Sequence, residues 1–181
     1  MNAFIIYKGK YGATHQYAKW LGATVHYPVF RTDKVDGRNL STHECIVLGG
    51  SVYEGKWQSA KWLRENLSYI KDKKIFIFIV CGTPAENKDG QDEIARRNIP
   101  AEIRNRCNIY FLRGRMIRKN LSWKDRLIMR LGAAFTKDPK EKERMNDFDE
   151  VKRESILPLI NEIQKIQNQN NYKTTPNATL V

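Results

Sequence analysis

Cysteine is scarce in this chain. Cys45, Cys81 and Cys107 stand far apart and form no C-x-x-C pair, which excludes a disulfide framework and a cysteine-rich zinc site and predicts a reducing, cytoplasmic setting. Histidine is as sparse: His15, His26 and His43 show no metal-ligand spacing, so no metal site is expected. Long apolar runs are missing too. The longest, residues 75–81, falls far short of the about 20 residues a membrane helix requires. The opening Met1-Asn2-Ala3-Phe4-Ile5-Ile6-Tyr7 lacks the basic start and cleavage signature of a signal peptide. No Ser-His-Asp or paired-carboxylate arrangement, no internal repeat and no low-complexity domain can be read. Acidic residues are in deficit: 32 Lys+Arg against 20 Asp+Glu leave +12. Such an excess attracts nucleic acid, an acidic membrane surface, or a phosphate- or carboxylate-bearing ligand, without choosing among them.

What is present fits one soluble globular domain, with 41% hydrophobic and 29% charged residues in 181. Apolar runs at residues 3–7, 45–48 and 75–80 are rich in Ile, Val and Phe. Continuous apolarity suits parallel strands covered on both faces. Residues 109–112 make a fourth candidate and 25–29 a fifth, placed at an edge by Pro28. Helical patterns lie between them. Residues 14–21 have Thr14 as N-cap and Gly22 as stop, 58–70 carry Trp62, Leu63, Leu67 and Ile70, and 91–106 are interrupted by Pro100. A last helix is expected over 147–167, with Phe148, Val151, Ile156, Leu159, Ile160 and Ile163 inward and a kink at Pro158. Alternating strands and helices predict an α/β sandwich around a parallel sheet. Residues 1–167 form the domain, an extra segment occupies about 114–146, and the Asn-rich 168–181 read as a frayed tail.

Three strand ends carry the chemistry. After the first strand, Gly9-Lys10-Tyr11-Gly12-Ala13-Thr14 opens a helix. Such a turn aims backbone N–H groups and the positive end of the helix dipole at one point. Gly9 and Gly12 permit close approach, the Thr14 hydroxyl can donate to an anion, and Lys10 can balance its charge. A phosphate monoester suits this loop, and an ordinary glycine-rich turn is the competing reading. Neither the G-x-G-x-x-G fingerprint nor the G-K-[ST] ending is present. After the next buried strand come Gly49, Gly50, Ser51, Val52, Tyr53, Glu54 and Gly55. The two leading glycines are read as allowing close backbone approach, and Tyr53 as able to stack on a flat ring. Gly82, Thr83 and Pro84 follow Cys81 at the third strand end. All three loops surround the crevice where open α/β sheets bind ligands.

On these residues the chain resembles flavodoxin-fold FMN proteins over about residues 1–167. The resemblance implies a three-layer α/β sandwich, a five-stranded parallel sheet of order 2-1-3-4-5, and FMN as cofactor. Gly9 to Thr14 would hold the phosphate, although Gly9, Lys10 and Tyr11 replace hydroxyl positions of the family. Ser51 to Gly55 and Gly82 to Pro84 would flank the ring system, with Tyr53 near the family's stacking aromatic. The third loop carries no second aromatic, which would leave the other ring face to a substrate. A narrower resemblance comes from Gly114-Arg115-Met116-Ile117-Arg118, followed by Trp123-Lys124-Asp125-Arg126 and an apolar stretch. This segment is similar to the insertion of quinone-dependent protoporphyrinogen oxidases built on the flavodoxin fold. It implies electrons passing from a reduced small molecule, such as a porphyrinogen, through FMN to a quinone or a redox partner protein. Arg115, Arg118, Trp123 and Arg126 would bind substrate, since guanidinium forks suit propionate carboxylates.

Within the insertion, Leu127, Ile128, Leu131, Ala134 and Phe135 form one apolar stripe, with Lys124, Arg126 and Arg130 largely off it. A surface helix packed on the domain, a basic helix at an anionic membrane interface and a partner-docking helix all fit that pattern. Three rivals to the enzyme reading remain open: an electron-carrying flavodoxin, a nucleic-acid-binding α/β protein, for which no recognition motif is found, and a flavin-free regulatory module.

Overall fold

A computed structural model describes residues 2–135 and 146–174. Its strands are β1 (Ala3–Lys8), β2 (Val29–Arg31), β3 (Cys45–Tyr53), β4 (Lys56–Trp57), β5 (Lys74–Cys81), β6 (Asn108–Arg113), β7 (Arg115–Met116) and β8 (Phe148–Asp149). Its helices, numbered in chain order, are α1 (Ala13–Val25), α2 (Ala60–Glu65), α3 (Leu67–Ile70), α4 (Lys88–Asn98), α5 (Ala101–Arg104), α6 (Trp123–Phe135) and α7 (Leu157–Thr174). The main sheet runs β2-β1-β3-β5-β6, parallel throughout, with β4 folded back antiparallel on β3. The five-stranded parallel order implied by the family resemblance is therefore observed, and β4 makes a sixth strand.

Residues alternate between two cores, as the period of a strand requires. Ile5, Val47, Phe76, Phe78 and Val80 face α1 and α7, meeting Tyr17, Leu21, Leu159 and Ile163. Ile6, Ile46, Leu48, Ile77 and Ile79 face the other way, toward Trp62, Leu63, Ile70 and Ile99. Both faces are covered, which explains why these strands read as unbroken apolar runs. Tyr17 reaches furthest: its buried hydroxyl donates to the Arg113 carbonyl at 2.9 Å and accepts the Lys152 amide at 3.2 Å. It thereby ties α1 to both ends of the excursion between β6 and α7.

Several boundaries depart from expectation. Helix α1 continues through Gly22 to Val25, and His26 in the left-handed region ends it, its amide donating to the Gly22 carbonyl. Gly22 is kept for space, because a Cβ there would meet Val29 and the Tyr27 carbonyl. The edge strand accordingly starts at Val29 rather than Val25. Thr14 sits inside α1, and Gly12 holds the N-cap position. The helix expected over 58–70 divides at Asn66, whose side chain turns back to the Trp62 carbonyl and accepts the Gly37 amide. Residues 147–152 are not helical: β8 pairs antiparallel with β7, and α7 starts at Leu157. Pro158 thus lies in the first turn, where its missing N–H leaves no helical bond unmade and no kink is required. The same helix runs to Thr174, through the first half of the expected tail, and residues 175–181 lie outside the described residues.

Candidate functional site

A cavity of about 400 Å³ opens at the carboxyl ends of β1, β3 and β5, beside the point where the strand order reverses from β2 on one side of β1 to β3 on the other. Its floor is the start of α1. Gly12 caps that helix in the left-handed region (φ 85°) and has no side chain to satisfy the opening amides. Thr14 is 1% exposed and lines the cavity, and its Oγ1 has no hydrogen-bond partner among the described residues. Buried hydroxyls are normally paired, and an orphan beside uncapped amides marks a seat for an anion. Gly9 makes room for it: a Cβ there would stand 2.6 Å from Thr14 Oγ1.

The second wall is the β3–β4 hairpin. Glu54 and Gly55 both have positive φ, 49° and 71°, the geometry of the tight turns that match strand twist. Ser51, Val52, Tyr53 and Glu54 line the cavity from there. Tyr53 therefore ends a strand rather than sitting in an open loop. Gly49 and Gly50 do not face the cavity; they clear space for the Phe78 ring and the Trp57 indole.

The insertion supplies the roof. Ser122 accepts the Asp125 amide at 3.2 Å and caps α6. Asp125, 6% exposed, accepts from Lys10 Nζ at 2.7 Å and from the Tyr53 hydroxyl at 2.6 Å. One carboxylate thus pins α6 to both flanking loops. The Lys10 ammonium lies 4.1 Å from the Tyr53 ring centroid, covering one ring face. The bond to Asp125, with smaller help from Tyr53, holds the Lys10 pKa above its ordinary 10.5 against the opposing effect of burial. Because that value exceeds the unfolded one, the link is complete below pH 10.5 and is lost as pH rises through the raised value. We expect short subtilisin pulses, corrected with an unfolded substrate, to cut α6 faster above that pH, and Asp125→Ala to be cut readily at neutral pH. Equal resistance of α6 in the variant and the parent would show that this contact does not hold the roof.

Of the residues proposed for the cofactor, Lys10, Tyr11, Ala13, Thr14, Ser51, Val52, Tyr53, Glu54 and Gly82 line the cavity. Gly9, Gly12, Gly55, Thr83 and Pro84 do not. Gly12 and Gly55 shape turns, and the Pro84 carbonyl accepts from Gln91 at the start of α4. Of the substrate candidates only Arg115 reaches the cavity. Trp123 is 69% exposed, Arg126 Nε donates to the Leu121 carbonyl, and Arg118 binds Asp147.

The arginines at 113, 115 and 118 have carboxylate partners: Arg113 with Glu150, Arg115 with Asp149, and Arg118 with Asp147. The β7–β8 register sets Arg115 opposite Asp149, a pairing across about 30 residues of chain that no local pattern announces. Gly114, Met116, Leu121, Asp125, Ile128, Met129 and Phe148 also line the cavity. Phe148 stands near Gly82, so an aromatic side chain reaches the third loop from β8. Cys81 lines the cavity as well, its thiol pKa pushed up by burial, which suits a packing role over a nucleophilic one. Among the described residues no cluster could hold a metal.

A sequence model of the flavodoxin domain matches residues 4–143. No curated protein matches the chain. Several solved structures resemble it. A flavodoxin from the domain Archaea is 19% identical, over 80% of this chain and 99% of that one, with a TM-score of 0.43. The azoreductase AzrA is 10% identical, over 93% and 100%, at 0.51. A WrbA-like flavodoxin from Agrobacterium tumefaciens is 16% identical, over 61% and 82%, at 0.41. With the family match spanning most of the chain and the strand order in agreement, this protein belongs to the flavodoxin domain family.

Proposed function

We propose that this chain is an FMN-dependent oxidoreductase resembling the protoporphyrinogen oxidases, taking electrons from a reduced small molecule and delivering them to a quinone. Membership of the flavodoxin family supports a flavin cofactor and a redox role. The observation that carries the FMN reading is the orphaned Thr14 hydroxyl, buried beside uncapped helix amides in the cavity. These donors fit a phosphate monoester. Thr14 and the amides at the start of α1 would hold that phosphate; Lys10 lines the same cavity but is already paired with Asp125.

FMN, when bound, supplies hydride and electron transfer that no side chain here could perform. The chain contributes position and exclusion of water. Val52, Val80, Leu121 and Met129 give apolar walls, and Tyr53 and Phe148 add aromatic side chains to the lining. Arg115 is the cation placed to orient a substrate carboxylate, exchanging Asp149, now 3.3 Å away, for the ligand. Arg118, Trp123 and Arg126 lie off the cavity and would bear on a substrate only at its rim. Among the described residues no helix is long and apolar enough to cross a membrane, so a lipid quinone would be met from the bilayer surface.

Reconstitution tests this directly. The purified chain should take up FMN with a shift in flavin absorbance and bind riboflavin, which lacks the phosphate, at least tenfold more weakly. The loaded protein should then convert protoporphyrinogen to fluorescent porphyrin only when menaquinone is supplied. Failure to bind FMN would end the cofactor reading. Binding without porphyrinogen turnover, together with rapid reduction by a flavodoxin reductase, would make the protein a carrier.

A further inference from the structure

The helix that roofs the cavity leaves its apolar side uncovered. Trp123 is 69% exposed, and Leu127, Ile128 and Leu131 are each about half exposed. At 100° per residue these four span one continuous side of α6, opposite the Asp125 and Met129 that turn inward. Leu127 and Leu131 of the stripe read from the sequence therefore stay about half exposed while α6 packs on the domain through its other side. The side chains of Ala134 and Phe135, which would extend the stripe, lie outside the described residues. The ten residues that follow α6, 136–145, offer only Pro139 and Met145 as apolar side chains, so that segment has little with which to cover the stripe.

Charge says what does cover it. From Lys119 to Leu131 there are four cations, Lys119, Lys124, Arg126 and Arg130, and one anion, Asp125. That anion is buried against Lys10 and Tyr53, so the outward side of this segment is purely cationic around an aromatic and three aliphatic side chains. An apolar stripe bearing Trp and Leu and rimmed by Lys and Arg is the pattern of helices that lie in the headgroup region of a membrane. Lys124 falls among Trp123, Ile128 and Leu131 at 100° per residue rather than off the stripe as the sequence pattern suggested, and it can extend its ammonium to the phosphates while its stem stays among acyl chains.

We propose that α6 is an in-plane docking helix for an anionic lipid bilayer, with Trp123, Leu127, Ile128 and Leu131 entering the interface and Lys119, Lys124, Arg126 and Arg130 contacting lipid phosphates. Ile128 belongs to both surfaces, exposed on the stripe and lining the cavity. Docking therefore sets the cavity mouth against the bilayer. The docking rests on the exposed side of α6 alone and stands whether or not the proposed redox reaction does.

Co-sedimentation of the full chain with vesicles of phosphatidylcholine, with or without phosphatidylglycerol, tests it. Binding should require the anionic lipid, weaken with salt, and shift Trp fluorescence to the blue in the parent but not in Trp123→Phe. Leu127→Ser/Leu131→Ser should weaken binding at least tenfold, and Lys124→Glu/Arg130→Glu more, since each cation at an anionic surface is worth about fivefold. Both variants change exposed positions, and the thermal transition checks that they fold. Equal binding by the parent and the Leu variant would overturn the proposal, reducing the attraction to general basic charge. So would a dimer in sedimentation equilibrium that disappears in the Leu variant, since a second copy would then be the occupant.

Discussion

Replacing Thr14 by valine should weaken FMN binding about 10- to 100-fold while leaving the flavin-free protein at least as stable as the parent. The two effects have one cause. Thr14 Oγ1 is buried and unpaired, and an unsatisfied buried polar group costs about 1–3 kcal/mol. Valine has the same shape, without the hydroxyl, and a comparable helix propensity. Its methyl removes the unpaired oxygen and with it a donor to the phosphate. A hydrogen bond to a charged group is worth about 1.5–3 kcal/mol, which sets the loss of affinity. FMN titration by absorbance and thermal unfolding of the flavin-free chain read the two halves separately. If the hydroxyl were an ordinary structural group, the substitution would lower the transition temperature and leave FMN affinity alone. Gly9→Ala should mimic the affinity loss by another route, since its Cβ would press on Thr14 itself.

The largest loss of stability is expected from Gly49→Ala. A Cβ at Gly49 would stand 2.0 Å from Phe78 Cζ and 2.3 Å from Cε1, inside the core shared by the sheet and α1. Phe78 is fully buried, β3 is held by ladders to β1 and β5 on both sides, and neither backbone nor ring has room to withdraw. Overpacking of this kind costs about 1–3 kcal/mol and occasionally more, and in a chain of this size each kcal/mol lowers Tm by about 2–4 °C. A fall of about 6–12 °C is the expected upper range. The double variant Gly49→Ala/Phe78→Leu should recover part of it, because the smaller side chain accepts the added methyl. Additive losses in that cycle would show that the two residues do not compete for the same space.

The two glycines of β3 show where local reading goes astray. In the sequence they precede Tyr53 at a strand end and look like room for a ligand; in the fold they make room for Phe78 and Trp57. Asp125 shows the opposite case. Nothing about its neighbours in the chain marks it as the contact joining Lys10, Tyr53 and the insertion, 115 and 72 residues away. Phe148 reads from the sequence as part of a helix face and instead sits in a short strand, lining the cavity.

Sequence alone determined the alternation of strands and helices, the parallel character of the sheet, and the first βα loop with Thr14. These follow from continuous apolar runs, helical spacing and glycine chemistry, all local properties of the chain. Tertiary structure alone decided which arginines carry partners, which aromatic faces Gly82, that Asp125 closes the roof, and that the apolar side of α6 turns outward. Those outcomes depend on contacts between segments far apart in the chain, where pairing register and space left by neighbours, rather than residue type, decide the result.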